Sequence, residues 1–190
     1  MRSENWMIFL KSERNAMSRV LIVSDSHGST EVLEGIEKLH GNDVDLMIHC
    51  GDSELSEEDA AIKNFKSVKG NCDFYGHFPD DEIHVINGMK IFVTHGHLYS
   101  VKSTLVNLYY KAKELEADVV CFGHSHLLGA EMVDDVLFIN PGSIRLPRGR
   151  SEKSYALLEL IDKKAVVRIY DYGNGEVSEL RQEFSLHKTS

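Results

Sequence analysis

The 190-residue sequence is poor in cysteine, in proline and in long apolar stretches. Its three cysteines, Cys50, Cys72 and Cys121, are odd in number and show no paired spacing. This excludes a disulfide framework and indicates a reducing compartment, so we expect a cytoplasmic protein. The longest uninterrupted apolar run, residues 6–10, is far shorter than the roughly 20 residues of a membrane-spanning helix. The sequence therefore predicts no membrane association.

Basic residues are also scarce relative to acidic ones. There are 21 lysines and arginines against 30 aspartates and glutamates, which gives a formal net charge of −9. Nucleic-acid binding depends on neutralising phosphates with basic side chains, so nucleic acid is not expected as a tight partner. What the sequence does contain is 42% apolar residues, enough for a folded core, and ten histidines.

The first 16 residues differ in pattern from the rest of the chain. They are mostly polar around residues 6–10, and regularly spaced apolar segments begin only after Met17. We expect residues 1–16 to be an N-terminal appendage, with Met17 as the original start, and residues 17–190 to form a single domain. The alternative is a short helix packed through Trp6 and Phe9.

From Arg19 onwards, short apolar segments alternate with helical patterns. Continuous β-branched runs are typical of strands buried on both faces. The predicted strands are residues 20–23, 46–49, 66–69, 83–86, 91–94, 119–122, 136–139, 155–160 and 166–170. Because helices alternate with strands early in the chain and only strands follow later, we predict a layered α/β protein with two packed sheets and helices outside.

Local patterns predict further elements. Asn87-Gly88 between two apolar runs predicts a β-hairpin. Residues 56–59 resemble a capping box that opens a short helix reaching Phe65. Apolar residues at helical spacing predict one helix over residues 30–39 and a long one over residues 101–115.

Polar residues with metal-binding side chains follow five of the predicted strands. In an open α/β sheet, ligand sites lie beyond the carboxyl ends of parallel strands, so these residues should meet at one place. The glycines beside them allow close backbone approach. The segments are residues 24–28 (Ser-Asp-Ser-His-Gly), 51–52 (Gly-Asp), 70–73 (Gly-Asn-Cys-Asp), 95–97 (His-Gly-His) and 123–126 (Gly-His-Ser-His).

These residue types favour a metal centre. Carboxylates, an amide and imidazoles form a mixed set that suits Mn, Fe, Ni or Zn better than a closed cysteine-rich zinc site. The candidates are too many for one ion but suit two ions that share a carboxylate. Each of the five segments alone is weak evidence for a metal site; a Gly-Asp pair, for example, is usually just a turn. The other histidines are interpreted as structural or surface residues: His40, His49, His77, His84 and His187.

The order of the five segments resembles the calcineurin-like metallophosphoesterase superfamily. Residues 70–73 and 140–143 (Asn-Pro-Gly-Ser) look most like its compact bacterial and archaeal phosphodiesterase branch. The resemblance runs from about Arg19 to about Tyr172 and implies a four-layer αββα sandwich of two mixed β-sheets flanked by helices. It also implies a first metal held by Asp25, His27 and His126, a second held by Asn71, His95 and His124, and Asp52 as the bridge.

The implied function is a metal-dependent phosphodiesterase that hydrolyses small phosphodiesters. Its cofactors would be two divalent ions, with Mn favoured and Ni, Fe, Co or Zn as alternatives. A hydroxide bridging the ions is the natural nucleophile, because the ions lower the pKa of bound water. With Asp25 and Asp52, the ions and the hydroxide leave a local charge of about +1, so the metals would attract the phosphate. Asp52 and Asn71 belong to the predicted catalytic set.

One position departs from the superfamily pattern. Many members carry a histidine directly after the Gly-Asn pair, where it stabilises the transition state or protonates the leaving group, but here the residue is Cys72. A thiol with a pKa of about 8.5 is a weak substitute. We predict His97 as the catalytic replacement; the alternatives are that it orients His95 or faces solvent. Asp73 is expected to orient a nearby histidine or to cap the following turn.

The sequence leaves other functions open. A phosphomonoesterase is the nearest alternative, since the same positive site would bind a dianion. A non-catalytic protein-interaction scaffold of the same fold is another, but a scaffold has no need of the full ligand set. Metal storage lacks the expected enrichment in thiolates. Exposed apolar helix faces would support a homodimer.

Overall fold

The computed structural model describes residues 17–186, so the expectations for residues 1–16 and for His187 lie outside the described residues. This range contains the helices α1 (Thr30–His40) and α2 (Val106–Glu114) and short 3₁₀ helices at His97–Tyr99 and Ser178–Leu180. The strands are β1 (Ser18–Val23), β2 (Leu46–His49), β3 (Lys66–Ser67), β4 (Asp81–Ile86), β5 (Met89–Thr94), β6 (Val119–Cys121), β7 (Gly129–Val133), β8 (Val136–Asn140), β9 (Ser154–Ile161), β10 (Lys164–Asp171), β11 (Gly175–Glu176) and β12 (Gln182–Ser185).

The first sheet has the strand order β11-β10-β9-β1-β2-β3, and β12 also pairs with β10. Parallel pairing joins β1 to β2 and β2 to β3. The other half is antiparallel, since β1 pairs with β9 and β9 with β10. The sheet is therefore mixed, and the carboxyl ends of β1, β2 and β3 lie at the same edge.

The second sheet has the order β4-β5-β6-β8-β7. Its central strands β5, β6 and β8 are parallel, and the outer strands β4 and β7 are antiparallel to their neighbours. The predicted hairpin at Asn87-Gly88 is confirmed, since β4 and β5 pair directly across it with Ile86 opposite Met89. Asn87 and Gly88 have φ values of 52° and 77°, in the left-handed region that a tight two-residue hairpin turn requires.

Alternate residues of each central strand point to opposite faces and so enter different apolar layers. Ile22 lies in the core between the two sheets. Its neighbour Leu21 lies in the outer layer with Leu33 of α1. On the second sheet, Phe92 shares the corresponding outer layer with Leu108 of α2. The layers therefore run helix, sheet, sheet, helix, which confirms the predicted αββα sandwich.

Two of the predicted helices differ from the structure. The helix predicted over residues 101–115 begins only at Val106, because turns precede it and Ser100 has a left-handed φ of 58°. The helix predicted after residues 56–59 is wrong, since the segment forms turns. There the Asp59 carboxylate accepts the backbone N–H of Ala61 at 2.9 Å, as a helix cap would, but β3 begins at Lys66 and leaves room for a single turn. None of the helices within residues 17–186 has the length and apolar character needed to cross a membrane.

Candidate metal centre

Loops at the carboxyl ends of five strands converge on one edge of the two sheets. Backbone hydrogen bonds tie neighbouring loops together. The N–H of His27, after β1, donates to the carbonyl of Asp52, after β2, at 3.0 Å. The N–H of Gly123, after β6, donates to the carbonyl of His95, after β5, at 3.1 Å. The predicted convergence of the strand ends is therefore present in the structure.

Asp25, His27 and His126 form a first group, whose potential ligand atoms all lie within 4.8 Å of one another. Nε2 of His126 lies 3.0 Å from Oδ1 of Asp25, and Nε2 of His27 lies 4.0 Å from the same oxygen. This oxygen is buried and has no hydrogen-bond partner among the described residues. Because a buried carboxylate oxygen without a donor is costly, a cation beside it would fit the group.

Asp52, His95 and His124 form a second group, also within 4.8 Å. Nε2 of His95 lies 3.3 Å from Oδ2 of Asp52 and 3.2 Å from Oδ1 of Asn71. The ring centroids of His95 and His124 are 5.0 Å apart. Asp52 also belongs to a group with His27, so its carboxylate lies between the first and second groups. The structure thus brings the predicted ligands to one place.

Two of the histidines are oriented by backbone carbonyls. Nδ1 of His95 lies 2.7 Å from the carbonyl oxygen of Cys50, and Nδ1 of His126 lies 2.7 Å from that of Leu146. Because a carbonyl only accepts, each Nδ1 carries a proton, and Nε2 is the nitrogen that faces the site and can bind a cation once it is unprotonated. Metal-binding histidines are commonly held in this way.

The backbone at the candidate ligands is strained. Left-handed φ values occur at Asp25 (54°), His27 (43°), Asp52 (54°), His124 (66°) and His126 (60°). Residues with a Cβ seldom adopt this region, and those that are held there cluster at functional sites. The loops therefore present these side chains in a conformation that the surrounding structure imposes.

Two glycines let the backbone pass close to the carboxylates. A Cβ on Gly70 would lie 2.1 Å from Oδ1 of Asp52, and one on Gly123 would lie 2.7 Å from Oδ2 of Asp25. No methyl group fits at such distances, so any larger residue would displace the carboxylate or the loop. Both glycines belong to the motifs that the sequence predicted.

Asp52 and His95 shift each other's ionisation. Burial alone would raise the pKa of Asp52 and lower that of His95, but the hydrogen bond and the opposite charges between them outweigh burial. The pKa of Asp52 is therefore lowered and that of His95 raised. Burial, assisted by nearby His95 and Lys102, lowers the pKa of His124 to about 4. The anionic Asp52 carboxylate and the neutral His124 imidazole, which belong to the same group, are therefore suited to a cation.

Cys72 lies within the site, in a group with His27 and Asp52 whose potential ligand atoms are within 4.8 Å of one another. The side-chain amide of Asn71 donates to its sulfur at 3.2 Å. Burial and the neighbouring Asp52 charge raise the pKa of the Cys72 thiol to about 11. A thiol that holds its proton this firmly is a poor general acid at neutral pH.

His97 lies beside two of the candidate ligands. Its ring centroid is 5.3 Å from that of His95 and 6.1 Å from that of His124. Its Nδ1 is buried and has no hydrogen-bond partner among the residues that the structure describes. Burial and the nearby His95 lower the pKa of His97. The ring is thus close to the site and mainly neutral at neutral pH.

Asp73 organises the loop that carries Asp52. Its buried carboxylate accepts the backbone N–H groups of Asp52 at 2.8 Å, Gly70 at 2.7 Å and Glu54 at 2.6 Å, and the hydroxyl of Ser53 at 3.1 Å. The bond from Gly70 closes the turn that precedes Asp73, whereas Asp73 was expected to cap the following turn. The other three hold residues 52–54, a role the sequence reasoning missed. These bonds fix the backbone on both sides of the Asp52 side chain.

Sequence reasoning also missed Glu54, whose Oε1 lies 2.7 Å from Nδ1 of His27. The feature of the sequence that could have indicated Glu54 is its position two residues after the predicted ligand Asp52. His49 was interpreted as structural or surface, and it is fully buried behind the site. Its Nδ1 accepts the N–H of Gly51 at 3.2 Å, so its Nε2 carries the proton toward the hydroxyl of Ser26 at 2.9 Å. His49 therefore links the loops after β1 and β2.

The fold and the composition of this edge define an α/β protein of the metallophosphoesterase class. The calcineurin-like phosphoesterase superfamily domain matches residues 18–163, and the chain belongs to this family. The predicted resemblance is confirmed, and so is the fold that it implied.

Named relatives agree with this assignment. The probable metallophosphoesterase YsnB of Bacillus subtilis is 53% identical over 167 residues, which cover 88% of this chain and 99% of YsnB. The phosphodiesterase YfcE of Escherichia coli is 27% identical over 170 residues, covering 75% and 88% of the two chains.

Solved structures show the same fold. A predicted phosphoesterase from Streptococcus pneumoniae superposes with a TM-score of 0.85 at 35% identity, covering 90% of this chain and 98% of that one. Vacuolar protein sorting 29 from Cryptosporidium parvum superposes with a TM-score of 0.72 at 24% identity, covering 89% and 98%. At that identity the second protein shows a shared fold alone.

Proposed function

We propose that this protein is a metal-dependent phosphodiesterase that hydrolyses small phosphodiesters at a centre with two divalent cations. The observation that carries the proposal is the position of Asp52, which belongs to one group with His27 and to another with His95 and His124. A carboxylate between two sets of ligands is what a pair of adjacent cations needs. The name of the Escherichia coli relative, a phosphodiesterase, supports the choice of a diester.

In this proposal the ligands divide into two sets that share Asp52. Asp25, His27 and His126 hold one cation, and Asn71, His95 and His124 hold the other. Their oxygen and nitrogen donors suit Mn, with Ni, Fe, Co and Zn as alternatives. When bound, the cations supply Lewis acidity and a water of lowered pKa. The unpartnered buried oxygen of Asp25 supports the presence of a cation beside it.

The chain's own residues supply position and proton transfer. The N–H of Cys72 donates to Oδ1 of Asp52 at 2.7 Å, and Asp73 holds the backbone of Asp52, so this carboxylate is fixed in direction. Asn71 is neutral and therefore adds no charge that would repel a phosphate. His97 is the candidate proton donor to the leaving group, because its ring lies 5.3 Å from that of His95, but its lowered pKa leaves it mainly neutral, so we expect it to donate only weakly at neutral pH.

We place a single domain, residues 17–190, in the cytoplasm, which agrees with the unpaired state of Cys50, Cys72 and Cys121. Sedimentation of the purified chain would show whether it is a homodimer.

The central test is hydrolysis of bis(p-nitrophenyl) phosphate by the full chain loaded with Mn²⁺. We expect activity that EDTA abolishes, and a far greater loss of kcat in Asp52→Ala than in Cys72→Ala, because Asp52 would help to hold both cations. Equal loss in the two variants would make the thiol catalytic and contradict the proposal. Faster hydrolysis of the matched monoester would indicate a phosphomonoesterase. Binding of Mn²⁺ without hydrolysis of either ester would indicate a scaffold.

The leaving group provides a second test. Proton donation typically contributes about 10²–10⁴-fold, and Cys72 is poorly suited to supply it. We therefore expect log kcat to fall more steeply with leaving-group pKa in the wild type than in Cys72→His. Equal slopes would mean that another group, His97 or a water, already donates the proton in the wild type.

A further inference from the structure

Glu54 contacts one candidate ligand from outside the site. Its Oε1 lies 2.7 Å from Nδ1 of His27, while Nε2 of His27 points toward Asp25 and His126. Because a carboxylate accepts, Nδ1 carries the proton and Nε2 is free to bind a cation. The Glu54 side chain is 44% exposed, whereas that of His27 is only 11% exposed. The pair therefore joins solvent-facing negative charge to a buried ligand.

The partner of His27 differs from those of the other oriented histidines. Nδ1 of His95 and Nδ1 of His126 bond to neutral backbone carbonyls. Among these three rings, only His27 has an anionic partner at Nδ1, the nitrogen that faces away from the ligand group. A carboxylate behind a metal-binding histidine fixes its orientation and raises its basicity, and loss of such partners typically weakens metal binding by about 10–100-fold.

The backbone holds Glu54 in the position that this contact requires. Its φ of 57° is left-handed, and its N–H donates to Oδ1 of Asp73 at 2.6 Å. An unsupported glutamate seldom adopts this conformation. The same carboxylate holds the backbone of Asp52, so one anchor positions both the residue between the ligand groups and the partner of His27.

We propose that Glu54 is a positioning residue that strengthens cation binding by the group Asp25, His27 and His126, and that it has little effect on the group Asn71, His95 and His124. This inference rests on the proposed centre with two cations. The charges support a one-sided effect. Apart from the shared Asp52, two carboxylates act on the first group: Asp25, which belongs to it, and Glu54, which contacts its member His27. The second group has the neutral Asn71, and the charge of Lys102 acts on His124. The first group should therefore bind its cation more tightly and fill first.

The test is calorimetric titration of the metal-free full chain with Mn²⁺, followed by electron paramagnetic resonance to separate single ions from coupled pairs. Glu54→Gly removes the carboxylate and tolerates the left-handed φ. Glu54→Gln keeps an oxygen that accepts from His27 but removes the charge. The matched control is Glu57→Gln, because Glu57 pairs with the exposed His77 at 3.0 Å, and Glu57 itself is not part of either ligand group.

We expect Glu54→Gly to weaken the tighter binding step about 10–100-fold, Glu54→Gln to weaken it less, and Glu57→Gln to leave both steps unchanged. The weaker step should stay within about threefold in all variants. An unchanged tighter step in Glu54→Gly overturns the inference. So does equal weakening of both steps, which is what a general structural defect would produce. Rescue by Glu54→Gln supports a role through the His27 hydrogen bond.

The outcome also separates this inference from the proposed function. If the wild type binds two Mn²⁺ ions but hydrolyses no ester, the proposed activity fails, while a selective loss in Glu54→Gly still supports the inference. If the wild type hydrolyses diesters and Glu54→Gly binds both ions as tightly as the wild type, the inference fails and the proposed function stands. If the wild type binds no Mn²⁺, both fail.

Discussion

Replacing Asp73 by asparagine should destabilise the metal-free protein far more than a typical polar substitution. The Asp73 carboxylate accepts three backbone N–H groups and one hydroxyl, and its side chain is almost fully buried. In Asp73→Asn one oxygen becomes an amide group, so two of the donors lose their acceptor and face another donor. Hydrogen bonds to a charged group contribute about 1.5–3 kcal/mol each. After local relaxation we expect a loss of about 3 kcal/mol in the free energy of unfolding.

Urea unfolding in the presence of EDTA measures this loss without any contribution from bound metal. With slopes of about 1–3 kcal/mol per molar urea for small proteins, the midpoint should fall by at least about 1 M while the slope stays constant. Asp59→Asn is the matched control, because the Asp59 carboxylate accepts a single local N–H from Ala61, which asparagine also accepts. An Asp73→Asn midpoint equal to that of the control would refute the idea that Asp73 holds the Asp52 loop.

Three further predictions follow from buried contacts. Gly70→Ala should lower Mn²⁺-dependent kcat/KM by about 10²-fold or more, because its Cβ would displace the Asp52 carboxylate; an unaffected kcat/KM would show that the loop gives way freely. Burial lowers the pKa of His49 to about 4, against 6.5 unfolded, so the unfolded state takes up the proton first as pH falls. Between about pH 7 and 4.5, the free energy of unfolding of the wild type should therefore fall by about 2–3 kcal/mol more than that of His49→Gln. Urea unfolding in the presence of EDTA measures both. Phe92→Ala should cost about 3–5 kcal/mol in thermal or urea unfolding through the cavity that it leaves between the second sheet and α2.

Strand positions and strand ends are the part of the fold that the sequence predicts well. Central strands are buried on both faces, so an uninterrupted apolar run such as residues 20–23 is readily identified as a strand. Polar residues that follow such runs are also easy to locate, and the topology brings them to one edge. Asp25, Asp52 and His95 were predicted in this way, and the structure brings them together.

Elements that depend on side-chain bonds or on weak pairing were not predicted. The turn that begins at Asp59 is capped as the sequence pattern favours, but it ends before a helix forms, because pairing of β3 with β2 starts at Lys66. β7, β11 and β12 are edge or two-residue strands, and their one-sided pairing leaves little apolar periodicity. Apart from the bond between Gly70 and Asp73, the contacts described for Asp73 and Glu54 join residues 19 to 27 positions apart, and local spacing carries no information on such contacts.

At five candidate ligands the backbone conformation lowers stability while the side chain is needed for function. These left-handed residues are Asp25, His27, Asp52, His124 and His126. A left-handed conformation costs a residue with a Cβ roughly 1 kcal/mol or more, and glycine escapes this cost. Glycine at any of these positions would relieve the backbone and at the same time delete a side chain that the site needs. Laboratory evolution that rewards heat resistance alone would therefore accumulate changes at this edge first. A lineage that keeps these five residues records continued selection for what the side chains do.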